Sequence, residues 1–130
     1  MKCRLIKMLT ALLGLTGVAC VQKNVPANTI VSVDAATFEK ALSDVNAQIV
    51  DVRTSEEFAN GHIGKALNID VTQSDFTEKA KIQLDKSKTC YVYCRSGRRS
   101  LMAADLLAKD GFKVVNLRGG YLEWESYKTK

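Results

Sequence analysis

Three short apolar runs constrain this chain more than any other feature: Gln48-Ile49-Val50-Asp51-Val52-Arg53, Thr89-Cys90-Tyr91-Val92-Tyr93 and Lys113-Val114-Val115-Asn116-Leu117. Each has the length of a strand and is rich in β-branched or aromatic residues, while the segments between them space their apolar residues as helices do. Strands separated by helices cannot pair as tight hairpins. They pair in parallel, and a parallel sheet needs helices over both of its faces. Two shorter runs, Ile30-Val31-Ser32-Val33 and Ala66-Leu67-Asn68-Ile69, complete the set. The expectation is one α/β domain on a five-stranded, mostly parallel sheet with helices on both faces, and 130 residues suffice for one such core.

The helical segments carry their own signals. Asp34 is placed to cap a helix running through Leu42, with Phe38, Ala41 and Leu42 on one face. Thr54 or Ser55 caps a short helix over residues 56–60, with acids in its first turn where the helix dipole favours them. Thr72 or Ser74 starts another through Phe76, Ala80 and Leu84. A long helix over 101–110 ends at Gly111, and a terminal helix over 121–127 carries Trp124, expected in the core. Gly61, Gly64, Gly119 and Gly120 read as turn residues, and His62 as a side chain that fixes its turn by hydrogen bonding.

In a parallel sheet, ligands gather beyond the carboxyl ends of the strands, and one loop there concentrates the chemistry. Cys94-Arg95-Ser96-Gly97-Arg98-Arg99-Ser100 leaves the Thr89–Tyr93 strand and enters the long helix. A helix N-terminus offers unpaired N–H donors and partial positive charge, which together bind anions. Arg95, Arg98 and Arg99 add charges that persist at neutral pH. All of these lower a cysteine pKa, and the thiolate is the reactive species. A cysteine at a strand end is more often a small apolar core residue, and arginine runs usually face solvent. The coincidence of thiol, glycine, three arginines and a helix start within seven residues favours a nucleophilic thiolate above a small anion. Arg53 and Arg118 follow two other strands at the same edge, as anion contacts or as salt-bridge partners, and Asp51 reads as a structural hydrogen-bond acceptor.

Charge excludes one function class. The net charge is +5, but Lys2, Arg4 and Lys7 fall in the first nineteen residues, which hold no acid. Without those three, 16 basic residues face 14 acidic ones, a balance of +2. Such a surface, with no basic helix interleaved with aromatics, does not suggest nucleic acid. Residues 1–19 read instead as an export signal: a positive start, an apolar stretch from Met8 to Ala19 that is too short to span a bilayer, and small residues before Cys20. The pattern resembles a bacterial lipoprotein signal, with Gly17 where a leucine is usual, and plain secretory cleavage is the alternative. A lipidated Cys20 would tether the domain to a membrane through residues 20–29, leaving 30–130 as the folded domain. Export exposes thiols to an oxidising compartment. Cys90 and Cys94 stand four apart on one extended segment, about 13 Å, beyond the roughly 7 Å a disulfide allows. Cys90 is therefore expected as a buried apolar residue. A lone His62 without a ligand cluster suggests no metal site, and no cofactor is expected. A monomer is the working expectation.

Three separated stretches resemble one family. Asp51-Val52-Arg53-Thr54 with Glu57-Phe58, then Gly61-His62-Ile63-Gly64-Lys65-Ala66, is similar to the first signature of rhodanese-like sulfurtransferases. Cys94 to Arg99 resembles their six-residue active loop, and Asn116-Leu117-Arg118-Gly119-Gly120 with Trp124 their terminal signature. Lys65 departs from the small or apolar residue common at its position. The resemblance spans about residues 30–127 and implies a rhodanese-like domain with Cys94 as nucleophile. Cys94 would take the outer sulfur of a donor such as thiosulfate, become a persulfide, and pass that sulfur to a thiol or cyanide. The resemblance also implies that Arg95, Ser96, Gly97, Arg98, Arg99 and Ser100 hold the donor and the persulfide. Arg99 alternatively ties to a carboxylate such as Asp51 and orients the loop. Two other readings stay open. One is a non-catalytic rhodanese-like binding module. The other is phosphatase or arsenate-reductase chemistry, against which the loop argues, because only four residues separate Cys94 from Arg99 and Ser100 stands where the longer loop would need its arginine.

Overall fold

The computed structural model describes residues 29–130. The expected export signal over 1–19, the lipidation site Cys20 and all but the last residue of the expected tether lie outside the described residues. In chain order the elements are β1 (Ile30–Val33), α1 (Ala35–Ala41), β2 (Gln48–Asp51), α2 (Ser55–Ala59), β3 (Leu67–Asn68), α3 (Phe76–Gln83), β4 (Cys90–Tyr93), α4 (Arg98–Lys109), β5 (Val114–Leu117) and α5 (Gly120–Lys128). The strands lie in the order β1-β5-β4-β2-β3. All four pairings are parallel, where the sequence suggested mostly parallel. The reason is visible in the element order: a helix intervenes between every two consecutive strands, so no hairpin forms.

Alternation along β4 assigns the two faces. Cys90, Val92 and Cys94 point with Val50, Val52 and Val114 toward Phe76 and Ala80 of α3 and Ala103, Ala104, Leu107 and Ala108 of α4. The alanines let α4 lie close to the sheet. Tyr93 points the other way, with Ile49 and Leu117, onto Ala35, Phe38 and Ala41 of α1 and Trp124 of α5. Phe38, Tyr93, Leu107 and Leu117 are almost wholly buried, and each such side chain contributes about 1.5–3 kcal/mol through removal from water.

Several boundaries differ from the sequence reading, and helix α4 starts at Arg98, three residues before the expected Leu101. Strand β2 stops at Asp51 rather than Arg53, because the Asp51 carboxylate accepts the Arg53 backbone N–H at 3.0 Å and turns the chain. Helix α3 starts after Asp75, not at Thr72 or Ser74. Asp70 takes both the N–H and the hydroxyl of Thr72, at 2.9 and 2.7 Å, and holds that residue in a turn instead. Thr54, not Ser55, caps α2.

Candidate active site

Cys94 follows β4 directly and is 1 % exposed. The next residues curl back so that the Gly97 N–H donates to Cys94 Sγ at 3.0 Å. Gly97 is also the residue from which the twelve-residue helix α4 starts, so the sulfur faces the positive end of the helix dipole. Burial alone would raise the Cys94 pKa. It is outweighed by the Ser100 hydroxyl and the backbone N–H groups of Ser100, Gly97 and Ser96 gathered around the sulfur, and the thiol titrates below its ordinary value. The Ser100 hydroxyl also lies 3.2 Å from the Gly97 carbonyl. It has one proton to give, so it cannot donate to that carbonyl and to the sulfur at once.

The loop is wedged between two helix starts. Gly97 has φ +103°, and a Cβ there would meet the Arg118 carbonyl oxygen at 2.2 Å. On the other side, the Tyr121 N–H donates to the Cys94 carbonyl at 2.8 Å and the Leu122 N–H to the Arg95 carbonyl at 3.0 Å. Gly120 permits that approach: at φ +66° its own Cβ would stand 2.4 Å from the Arg95 carbonyl oxygen. Asn116 to Gly120 therefore form the wall against which the thiol loop is pressed.

The arginines sort into two groups. Arg95, Arg98 and Arg118 are exposed and form no salt bridge among the described residues, though the charge of Arg118 helps to lower the Asp34 pKa. Arg99 is bound at both terminal nitrogens by Glu57, at 2.8 and 3.0 Å. The expected alternative partner of Arg99, Asp51, is not available to it. The Asp51 carboxylate, fully buried, receives the Arg53 backbone N–H, Nε and a terminal nitrogen, the last at 2.6 Å. Arg53 also donates to the Gly61 carbonyl at 2.7 Å and lies 4.4 Å above the Tyr121 ring. With 4 % exposure it is a strut between the β2 end, the Gly61 turn and α5.

Glu57 is the residue that sequence reasoning left without a task. It completes a capping box with Thr54, accepting the Thr54 N–H at 3.1 Å while its own N–H bonds the Thr54 hydroxyl at 3.2 Å. The Arg99 hydrogen bond, foremost, holds its pKa down to about 2. The Thr54-x-x-Glu57 spacing announces the capping box, but nothing local announces a partner 42 residues away.

Arg53, Glu57, Gly61, Arg95, Tyr121 and Leu122 line a cleft of about 280 Å³ beside the loop. A larger hollow of about 530 Å³, lined by Leu42, Val45, Gly64 and Leu67 among others, contains no residue of the thiol loop. Chemistry, not size, picks the site. His62 Nδ1 lies 3.1 Å from the Phe58 carbonyl, and its ring stacks on Phe58 at 3.8 Å, which pins the turn. Trp124 is buried in the core.

Cys90 and Cys94 are both free thiols. Burial pushes Cys90 up to about 12, whereas Cys94 moves down. A lowered pKa means that the thiolate fraction saturates at lower pH. Iodoacetamide should therefore alkylate Cys94 with a midpoint below that of an unperturbed cysteine thiol measured alongside, while Cys90 stays unmodified across that range. A Cys94 midpoint at or above the free value in a pH–rate profile read by peptide mass would overturn this assignment.

A family model described as a rhodanese-like domain matches residues 34–127. The chain belongs to the rhodanese-like domain family. The Bacillus subtilis protein YtwF, provisionally named a sulfurtransferase, is 42% identical over 91 residues, which cover 70% of this chain and 85% of YtwF. Thiosulfate sulfurtransferase 18 of Arabidopsis thaliana is 35% identical over 116 residues, covering 80% of this chain and 85% of the plant protein. The crystal structure of a rhodanese-related protein from Thermoplasma volcanium superposes with a TM-score of 0.67 at 30% identity, over 75% of this chain and 92% of that one. In this rhodanese-like domain the three signature stretches meet around one sulfur: the Asp51–Ala66 stretch supplies Arg53 and Glu57, Cys94–Ser100 the loop, and Asn116–Gly120 its wall.

Proposed function

We propose that this rhodanese-like domain is a sulfurtransferase that carries a sulfane sulfur on Cys94. The observation that carries the reading is the Gly97 N–H pointed at Cys94 Sγ at 3.0 Å from the start of α4, with Arg95 and Arg98 exposed beside it. The relatives named as sulfurtransferases support it. The donor that fits best is thiosulfate. The Cys94 thiolate attacks its outer sulfur, the S–S bond of the donor breaks, and the electron pair leaves with sulfite. The product is a Cys94 persulfide anion, whose outer sulfur the loop N–H groups are positioned to hold. An acceptor thiolate, or cyanide, then attacks that outer sulfur, and the electron pair of the broken S–S bond returns to Cys94. This is covalent catalysis in two displacements. Arg95 and Arg98 attract the dianion, while Arg99, engaged by Glu57, orients the loop.

The test is direct. Incubation of the purified protein with thiosulfate should add one sulfur atom to the peptide containing Cys94, and cyanide should then release it as thiocyanate. No adduct and no thiocyanate would leave the domain as a binding module.

A further inference from the structure

The sulfur chemistry leaves part of the rim of the site without a task. On α4, Leu101 is 49% exposed, Met102 61% and Leu106 38%, and on α5 Leu122 is 44% exposed. The near end of each group borders the thiol loop. At 1.5 Å per residue, Leu101 lies about 6 Å along the helix from Gly97, and the Leu122 N–H bonds the Arg95 carbonyl. The other large apolar side chains exposed among the described residues are Val31, Val45, Leu67 and Ile82, none of them in the loop or its two flanking helices. Arg95 and Arg98 stand in the same rim, and the Arg118 backbone backs Gly97. Arg95 and Arg98 are exposed and form no salt bridge among the described residues, whereas the exposed Arg118 acts on Asp34 and helps to lower its pKa.

A dianion the size of thiosulfate is satisfied by the loop N–H groups and one or two positive charges. It gains nothing from four solvent-facing apolar side chains. A basic and apolar collar around a reactive sulfur matches a macromolecule that brings acids and apolar groups together. We infer that this rim docks the sulfur acceptor, and that the acceptor is a protein cysteine flanked by acidic and apolar residues. The inference rests on the persulfide reading above. An anionic lipid surface would match the same charges, but Cys94 is 1% exposed at the base of its loop. A flat surface would cover it, whereas a cysteine on an extended segment can reach in. The step is the second displacement already written: the acceptor thiolate bonds the outer sulfur, the S–S bond to Cys94 breaks, and the acceptor leaves as the persulfide.

Two short peptides with one cysteine each test this, one with Asp, Glu and Leu flanks and one with Lys and Leu flanks. Each rate of discharging the Cys94 persulfide is normalised to that peptide's reaction with a small aromatic disulfide, which removes differences in thiol pKa. The acidic peptide should be about tenfold faster at low salt, with the gap closing at high salt. A Leu101→Glu, Met102→Glu double variant should lose that advantage while its turnover with cyanide stays within twofold. Binding of the acidic peptide, with its cysteine replaced by serine and a fluorescent label attached, reads docking without any sulfur on Cys94. Equal normalised rates, or equal binding of the two peptides, would overturn the inference. So would displacement of the acidic peptide by phosphatidylglycerol vesicles. Failure of thiosulfate to load Cys94 would overturn the donor reading instead, and the binding measurement would still decide the docking.

Discussion

Replacing Cys94 by serine should abolish both sulfur loading and thiocyanate formation, a loss of at least about a thousandfold, or about 4 kcal/mol of barrier. The substitution changes one buried atom and leaves the geometry in place. A serine oxygen can still accept the Gly97 N–H that now reaches Sγ at 3.0 Å. The loop would still be held by the Tyr121 and Leu122 N–H groups, which bond backbone carbonyls and not the side chain. What disappears is the ionisable, polarisable nucleophile, because the same hydrogen bonds cannot bring a hydroxyl into the neutral range. The melting temperature should therefore move by only a few degrees while activity vanishes. Cys90→Ser makes the reverse pattern. Cys90 is fully buried and aligned with Gln48 and Val114 in the sheet, so a hydroxyl there should cost about 1–3 kcal/mol of stability and leave Cys94 loading intact. Activity above one part in a hundred in the Cys94 variant, measured as thiocyanate released, would mean that the nucleophile is elsewhere.

The largest stability loss is expected from Asp51→Asn. The carboxylate is fully buried and holds Arg53 through its backbone N–H, its Nε and a terminal nitrogen, with Arg53 itself almost fully buried. Asparagine keeps the shape but removes the charge, leaving a guanidinium in the interior against a neutral amide, the Gly61 carbonyl and the Tyr93 and Tyr121 rings. Breaking a buried pair in this way costs about 3–5 kcal/mol. For a domain of this size that lowers the melting temperature by well over 10 °C, at about 4–8 °C per kcal/mol. Urea denaturation should show the midpoint shifted with the slope unchanged. The double variant Asp51→Asn, Arg53→Met should recover more than half of the loss, since no charge then remains buried. A single variant within 1 kcal/mol of the parent would show that water reaches the pair.

The sheet was legible in the sequence because its evidence is local. The Gln48–Arg53, Thr89–Tyr93 and Lys113–Leu117 runs each announce a strand, and the helices between them leave parallel pairing as the remaining choice. The thiol loop was legible for a similar reason: Cys94, Gly97 and the start of α4 fall within a few consecutive residues. Pairings across the chain were not legible. The sequence offered Asp51 as a partner for Arg99, and the fold gives Asp51 to Arg53 and Glu57 to Arg99. Both acids lie more than forty residues from Arg99, so sequence distance does not choose between them, and only the paths of β2, α2 and α4 decide which side chains meet. The start of α3 failed on competing local bonds, since Asp70 claimed Thr72 before it could cap.

The carbonyls of Cys94 and Arg95 close the first turn of α5 by accepting the Tyr121 and Leu122 N–H groups. The backbone of Cys94 and Arg95 is thereby the N-terminal cap of α5, which ties the thiol loop to that helix. During synthesis the Cys94 loop emerges before α5 exists to brace it, so the sulfur spends that interval without its finished cradle.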